Sequence, residues 1–198
     1  MNTNDRTGGS FIPDPSCFEI TDAEFNKNFD IFCEITKDIA LGKGGYCPTI
    51  SLHYRKIVEN GMPGDVESAL VVIDEDFNDA EAKRKTLREI GRQAFSNHCV
   101  PVAVIMASEA WASFGTNDNP PDPGIPPSKD PNRKEIIGIA GRTLMGECRK
   151  GCIIPVGRDK YNNFVEDGEI IITSEVETYL LDEVLVGFQE ALKQFLSK

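Results

Sequence analysis

The sequence lacks any apolar run long enough to cross a membrane. Its apolar stretches, such as residues 69–73 and 100–107, are far shorter than a spanning helix, which needs about 20 apolar residues in a row. Residues 1–10 also lack the apolar core of a secretion signal. We therefore expect a cytoplasmic protein without a membrane partner.

Catalytic signatures are also scarce. Only two histidines are present, which excludes a histidine-rich metal site and leaves few centres for a Ser-His-Asp or Cys-His relay. The nucleophile-elbow, dinucleotide-binding and kinase signatures do not occur. Six cysteines are present without any Cys-x-x-Cys pair, so the main signal for zinc-ribbon and thioredoxin-type sites is missing.

Positive charge is in deficit. The chain has 32 acidic and 21 basic residues, which gives a formal net charge of −11. This charge repels nucleic acid at long range, so we expect no nucleic-acid partner. With 198 residues, of which 40% are hydrophobic, the chain is long and apolar enough to bury a sizeable core.

A strand, a helix and a second strand are predicted between residues 69 and 108. Residues 69–73 and 101–107 are near-continuous apolar runs, which are typical of strands covered on both faces. The charged, amphipathic stretch at 79–96 between them predicts a helix. This order predicts a right-handed βαβ crossover with two parallel neighbouring strands.

Amphipathic helices are predicted near both ends of the chain. Thr21-x-x-Glu24 and Ser174-x-x-Glu177 have the spacing of a capping box, which satisfies the first amides of a helix. One apolar face follows each box. The first face comprises Phe25, Phe29, Phe32, Ile35 and Ile39, and the second comprises Leu181, Val184, Leu185, Phe188, Ala191, Leu192 and Phe195.

We therefore predict a single α+β domain over residues 17–198, after a flexible lead-in at 1–16. Its mixed sheet is built on the central βαβ crossover, and the N- and C-terminal helices pack against it. Six prolines and two glycines at 115–131 predict a long loop. Further strands are predicted at 49–58 and, as an antiparallel meander, at 135–140, 152–156 and 169–173.

Polar and aromatic residues follow both strands of the predicted crossover. Parallel strands end at the same edge of a sheet, and ligands of open α/β sheets bind outside that edge. An antiparallel strand after the proline-rich loop would return further charged residues there. The residues of this candidate binding edge are Asp74, Asp76, Glu109, Trp111, Arg133 and Glu135.

Two interpretations of this edge stay open. The carboxylates of Asp74, Asp76 and Glu109 are hard oxygen ligands that would hold a divalent cation, or one of them would act as a general base. Alternatively, the first two only favour the start of the following helix electrostatically. Trp111 would then be an anchor for the core or the loop.

Cys148 and Cys152 are a second candidate site. If residues 149–151 form a hairpin turn, the two thiols face each other and could form a disulfide or bind zinc. If both lie in one strand, they are about 13 Å apart at about 3.3 Å per residue and cannot share a metal ion. The spacing alone leaves both arrangements open.

One resemblance concerns the segment from Glu109 to Glu135. It contains Glu-Ala-Trp, a proline-rich loop, Pro-Pro-Ser at 126–128 and Pro-x-Arg-x-Glu at 131–135, and it resembles a group of uncharacterised prokaryotic and phage-type proteins. The resemblance covers residues 66–173. It implies that the crossover, the loop and the following strands belong together, and it implies no chemistry.

Three functions follow from these patterns. The first is a non-catalytic cytoplasmic accessory or binding protein that engages a protein partner through residues 109–135 and the sheet edge. The second is a metal-assisted hydrolase that uses Asp74, Asp76 and Glu109. The third is a thiol or zinc protein centred on the two cysteines at 148 and 152. The lack of a recognisable nucleophile–base set favours the first function, whereas clustered carboxylates favour the second.

Overall fold

The computed structural model describes residues 19–57, 63–73, 80–115, 120, 122, 124–144, 146–174, 176 and 178–197. The helices are α1 (Asp22–Ala40), α2 (Ala80–Ser96) and α3 (Asp182–Leu196). The strands are β1 (Thr49–Ile57), β2 (Pro63–Val72), β3 (Cys99–Ser113), β4 (Arg133–Thr143), β5 (Arg149–Arg158), β6 (Phe164–Glu166) and β7 (Ile171–Thr173). Short 3-10 turns lie at Pro127–Lys129 and Tyr179–Leu181. None of the helices in these ranges is long and apolar enough to cross a membrane.

The strands form one antiparallel sheet with helices on both faces. Its order is β2-β1-β3-β4-β5-β6, and β7 also pairs with β5. Because side chains alternate between the two faces of a strand, the central strand β3 contributes to two separate hydrophobic clusters. One cluster packs against α1, and the other packs against α2 and α3. We call these sides the α1 face and the α2–α3 face, and the α+β class is confirmed.

The two strands that flank α2 are not neighbours, so the predicted parallel pair is wrong. β1 lies between β2 and β3 and pairs antiparallel with both, through Ile50↔Val71 and Ile50↔Met106. β2 and β3 therefore run in the same direction on opposite sides of β1. β1 and β2 follow each other in the chain, and a short connection is enough to pair them antiparallel. A parallel pair of β2 and β3 would instead require the long connection through α2 to return to the adjacent position. The α2 connection consequently spans β1.

α1 begins at the predicted capping box. Thr21 Oγ1 accepts a hydrogen bond from the Glu24 amide at 3.2 Å, and Glu24 Oε2 accepts one from the Thr21 amide at 3.2 Å. Its buried residues are Phe25, Phe29, Phe32, Thr36 and Ala40. The predicted face is wrong at Ile35 and Ile39, which are 41% and 53% exposed. The buried row continues in steps of four from residue 32, which keeps it on one side of the helix.

α2 and α3 cross each other at two glycines. A Cβ atom at Gly91 would lie 2.0 Å from the Val184 carbonyl oxygen, and one at Gly187 would lie 1.9 Å from the Arg88 carbonyl oxygen. No side chain can occupy that space, so the two helix backbones are in direct contact. The pair then covers the sheet as a single layer.

Two element boundaries differ from the predicted ones. α3 begins at Asp182 and not after Ser174, because a 3-10 turn precedes it and buries Leu181, which is 1% exposed. β3 runs on to Ser113, well past Ala107, because β4 pairs with it from Ala103 to Ser113. This longer β3–β4 hairpin positions the candidate site.

Candidate functional site

The β3–β4 hairpin projects beyond the neighbouring strand. Thr49, the first residue of β1, pairs with Ala107 of β3. β3 and β4 remain paired beyond that point as far as Ser113 and Arg133. We call the part of this hairpin beyond Ala107 the hairpin end. In this platform β3 pairs with β4 alone, and β4 pairs in addition with β5 as far as Glu135.

The connection between α1 and β1 crosses the base of the hairpin end. We call residues 42–46 the crossing segment. Arg158 Nη1 of β5 donates a hydrogen bond to the Gly44 carbonyl oxygen at 2.6 Å. The Tyr46 amide donates to Glu109 Oε1 of β3. Glu109 is therefore held by the backbone of the crossing segment.

Glu135 is held in the same region by an arginine. Arg158 Nε donates to Glu135 Oε2 at 2.8 Å, and Arg158 Nη2 donates to Oε1 at 2.5 Å. The two side chains are 26% and 19% exposed, and the guanidinium lies 3.8 Å from the centre of the Phe164 ring. The hydrogen bonds to Glu135 raise the pKa of Arg158. Both oxygens of Glu135 are thus occupied by an ion pair.

Trp111 lies directly opposite Glu135 on the hairpin end, and its side chain is 44% exposed. The guanidinium carbon of Arg133 is 4.7 Å from the centre of the indole ring. This distance is within the range of a cation–π contact. The pair forms an exposed surface with an apolar ring and a positive charge.

The end of the proline-rich loop sets the position of Arg133. Asp130 Oδ1 accepts a hydrogen bond from the Asn132 amide at 2.8 Å, and the Asp130 carbonyl oxygen accepts one from the Arg133 amide at 3.2 Å. A 3-10 turn at Pro127–Lys129 comes just before. Local turn chemistry therefore starts β4 at the residue that contacts Trp111.

The structure brings four of the six predicted edge residues to the hairpin end: Glu109, Trp111, Arg133 and Glu135. Asp74 and Asp76 lie outside the described residues. In the described part of the chain, no three or more His, Cys, Asp or Glu side chains are grouped in a way that could hold a metal ion. The metal-assisted hydrolase stays a prediction, and Glu109 already accepts a backbone hydrogen bond.

Comparison with known proteins assigns neither a family nor a function to this chain. No family model matches this chain, and no curated protein or solved structure matches it. The resemblance to uncharacterised prokaryotic and phage-type proteins stays a prediction. Function has to be inferred from the residues of the hairpin end.

Cys148 and Cys152 do not face each other. The Cys148 carbonyl oxygen accepts a hydrogen bond from the Thr143 amide at 3.0 Å, and Cys152 pairs with Ile139 on the same side of the ladder. Residues 149–151 belong to β5 and Cys148 directly precedes that strand, so the hairpin-turn arrangement is wrong. At the spacing of an extended chain the two cysteines are about 13 Å apart. Cys152 instead packs against Cys33 of α1, a contact that sequence spacing could not reveal.

A buried polar group under α1 was also missed by sequence patterns. His53 Nε2 lies 3.2 Å from Ser51 Oγ, and His53 Nδ1 lies 3.5 Å from Asn28 Nδ2. Ser51 and His53 are only 4% and 3% exposed, and burial lowers the pKa of His53 to about 4. Such an imidazole is a poor general base at neutral pH. The group therefore serves as a satisfied polar contact within the core.

Proposed function

We propose that this chain is a non-catalytic binding protein of the cytoplasm and that its hairpin end engages a protein partner. The observation that supports this proposal is Trp111, the only tryptophan of the chain, which is 44% exposed at a position where β3 pairs with β4. A large apolar ring on a paired strand has little conformational freedom to lose when it is covered.

The residue types of the hairpin end favour a protein interface. Tryptophan and arginine are enriched among the residues that dominate the energy of protein–protein binding. Arg133 forms no ion pair with the described residues, although its guanidinium is fixed over Trp111. We infer a partner surface with an apolar patch beside a carboxylate. The net charge of −11 disfavours nucleic acid as the alternative.

The carboxylates of the hairpin end support binding better than catalysis. Both oxygens of Glu135 accept hydrogen bonds from Arg158, and Oε1 of Glu109 accepts one from the Tyr46 amide. These donors compete for the same oxygens with a substrate proton or a metal ion. The interactions of these two side chains instead hold the crossing segment and the platform together.

The single tryptophan gives a direct test of this proposal. The chain is labelled with 5-fluorotryptophan, so that its one fluorine resonance reports only on position 111. Unlabelled, size-fractionated extract of the cells that produce the protein is then added. We expect the resonance to shift and broaden in the fraction that contains the partner. A resonance that stays unchanged in every fraction would contradict the proposal.

Matched variants identify the residues involved. Trp111→Ala is expected to weaken capture of the partner by at least about 10-fold, as truncation of a dominant interface residue does. Phe195→Ala removes another exposed aromatic ring, which is 66% exposed on α3, and should leave capture unchanged. Both variants should melt close to the wild type. If the two variants captured the partner equally well, the interface would not lie at the hairpin end.

A further inference from the structure

A pair of thiols joins α1 to β5. Cys152 is 1% exposed in the cluster of the α1 face, and the partly buried Cys33 packs against that cluster. Cys33 of α1 and Cys152 of β5 thus belong to the same packed interface between two separate elements. The five cysteines that the structure describes all carry free thiols.

Neighbouring contacts fix the two elements in this register. Lys150 Nζ of β5 lies 2.5 Å from Asp30 Oδ1 of α1 and 5.3 Å from the centre of the Phe29 ring. Asp30 is one turn before Cys33 on the same side of α1, and Lys150 is two residues before Cys152 on the same face of β5. Cys33 and Cys152 therefore form the next layer of the α1–β5 interface. The contacts of Lys150 with Asp30 and Phe29 support this register independently.

The environment favours one thiolate within the pair. The hydrogen bond from Cys33 lowers the pKa of Cys152, and the same bond raises the pKa of Cys33. The Lys150 ammonium also favours the thiolate, whereas burial and Asp30 oppose it. Deprotonation of Cys152 is therefore easier than that of an isolated buried cysteine, and the thiolate is the nucleophilic form.

We propose that Cys33 and Cys152 form a reversible disulfide when a small hydroperoxide oxidises them. The deprotonated sulfur attacks the peroxide, the O–O bond breaks, water leaves after protonation, and a sulfenic acid forms. The second sulfur then attacks the sulfenic sulfur, the S–S bond forms, the S–O bond breaks, and its proton leaves with a second water. Two thiols and one hydrogen peroxide thus give one disulfide and two waters.

The crosslink would fix α1 on the sheet. α1 ends at Ala40, directly before the crossing segment that contacts Glu109 and Arg158. Oxidation would therefore reduce the freedom of the element that holds the base of the hairpin end. The inference stands whether or not that end binds a protein.

Peptide mapping of the native protein tests the proposal. The reduced chain is treated with hydrogen peroxide, remaining thiols are alkylated, and the protein is digested with trypsin without reductant. We expect the tryptic peptide 28–37 linked to the peptide 151–158, and dithiothreitol should release both. Cys33→Ser and Cys152→Ser should each abolish the linked product, whereas Cys148→Ser should retain it.

The wild type alone keeps the proposal falsifiable if a serine variant does not fold. Native protein that leaves both thiols alkylatable after peroxide treatment would overturn it. A link from Cys152 to Cys148 instead of Cys33 would overturn it as well. Because the disulfide closes a long loop, we expect the oxidised wild type to melt about 5–10 °C higher than the reduced protein.

Discussion

The two faces of the sheet are covered in different ways. On the α2–α3 face, two helices touch backbone to backbone at Gly91 and Gly187 and cover the strands as one layer. On the α1 face, one helix fills the space with phenylalanine rings. That face also buries His53 and a thiol pair. The first face therefore depends on the close packing of two helix backbones, whereas the second buries an imidazole and brings two thiols into one interface.

This difference predicts how each face will respond to perturbation. A close backbone crossing has no side chain that can move aside, so added volume forces the helices apart. A face that buries a titratable imidazole is sensitive to pH instead, because the unfolded chain binds protons that the folded chain does not. Substitutions at each face should produce distinct signatures.

The largest effect is expected at the helix crossing. Gly187→Ala places a Cβ atom 1.9 Å from the Arg88 carbonyl oxygen, and we expect the free energy of unfolding to fall by about 3 kcal/mol or more. Alanine favours a helix over glycine by about 1 kcal/mol, so the loss would be due to the clash. Urea denaturation would measure it.

A glycine in the sheet supplies the matched control. A Cβ at Gly138 of β4 would meet only Ile136 Cδ1 at 3.7 Å, which is an ordinary contact. Gly138→Ala should therefore change the free energy of unfolding by less than about 1 kcal/mol. If Gly187→Ala were as stable as this control, the direct helix contact would not exist in solution.

The α1 face should show a pH effect of intermediate size. Burial lowers the pKa of His53 to about 4, below its unfolded value of about 6.5. The unfolded state therefore binds the proton between these values, and stability falls as the pH drops from 6.5 to 4. His53→Gln removes this contribution. The variant is expected to be less stable than the wild type at pH 7. We expect this difference in the free energy of unfolding to shrink by about 2–3 kcal/mol between pH 7 and pH 4.5.

The other histidine provides the control for this titration. His98 is exposed and has a φ of 57°, a left-handed conformation that asparagine tolerates. His98→Asn is therefore a histidine substitution that keeps the backbone conformation, and the pH profile of His53→Gln is compared with it. A deficit of His53→Gln that does not change with pH would mean that His53 titrates normally in the folded protein.

Local sequence signals predicted most of the elements but not the position of β1 in the sheet. The capping box at Thr21 and the apolar spacing placed α1, because helix signals lie within a few residues of each other. Nothing local indicates that β1 inserts between β2 and β3, since strand pairing depends on distant segments. The extension of β3 to Ser113 depends in the same way on β4, which follows a long loop.

The candidate site was predictable only where its residues belong to one hairpin. The return of β4 antiparallel to β3 was expected, and it is this pairing that brings Arg133 and Glu135 to Trp111. The partner of Glu135 was not expected, because Arg158 arrives through a third strand. Likewise, Cys33 is far from Cys152 in sequence, so spacing directed attention to Cys148. Interactions within one hairpin are readable from sequence, and those between distant elements are not.

The smallest effects are expected at the hairpin end, where two ion pairs differ in burial. Arg158→Met would leave the Glu135 carboxylate, which is 19% exposed, without its partner and would remove the bond to the crossing segment. We expect a loss of about 2 kcal/mol in urea denaturation. Lys134→Met breaks a pair with Asp167 whose side chains are 46% and 51% exposed, so its cost should stay below about 0.5 kcal/mol. If the two variants lost the same free energy of unfolding, solvent would screen the Arg158–Glu135 pair as fully as the exposed Lys134–Asp167 pair. The Arg158–Glu135 pair would then not stabilise the hairpin end.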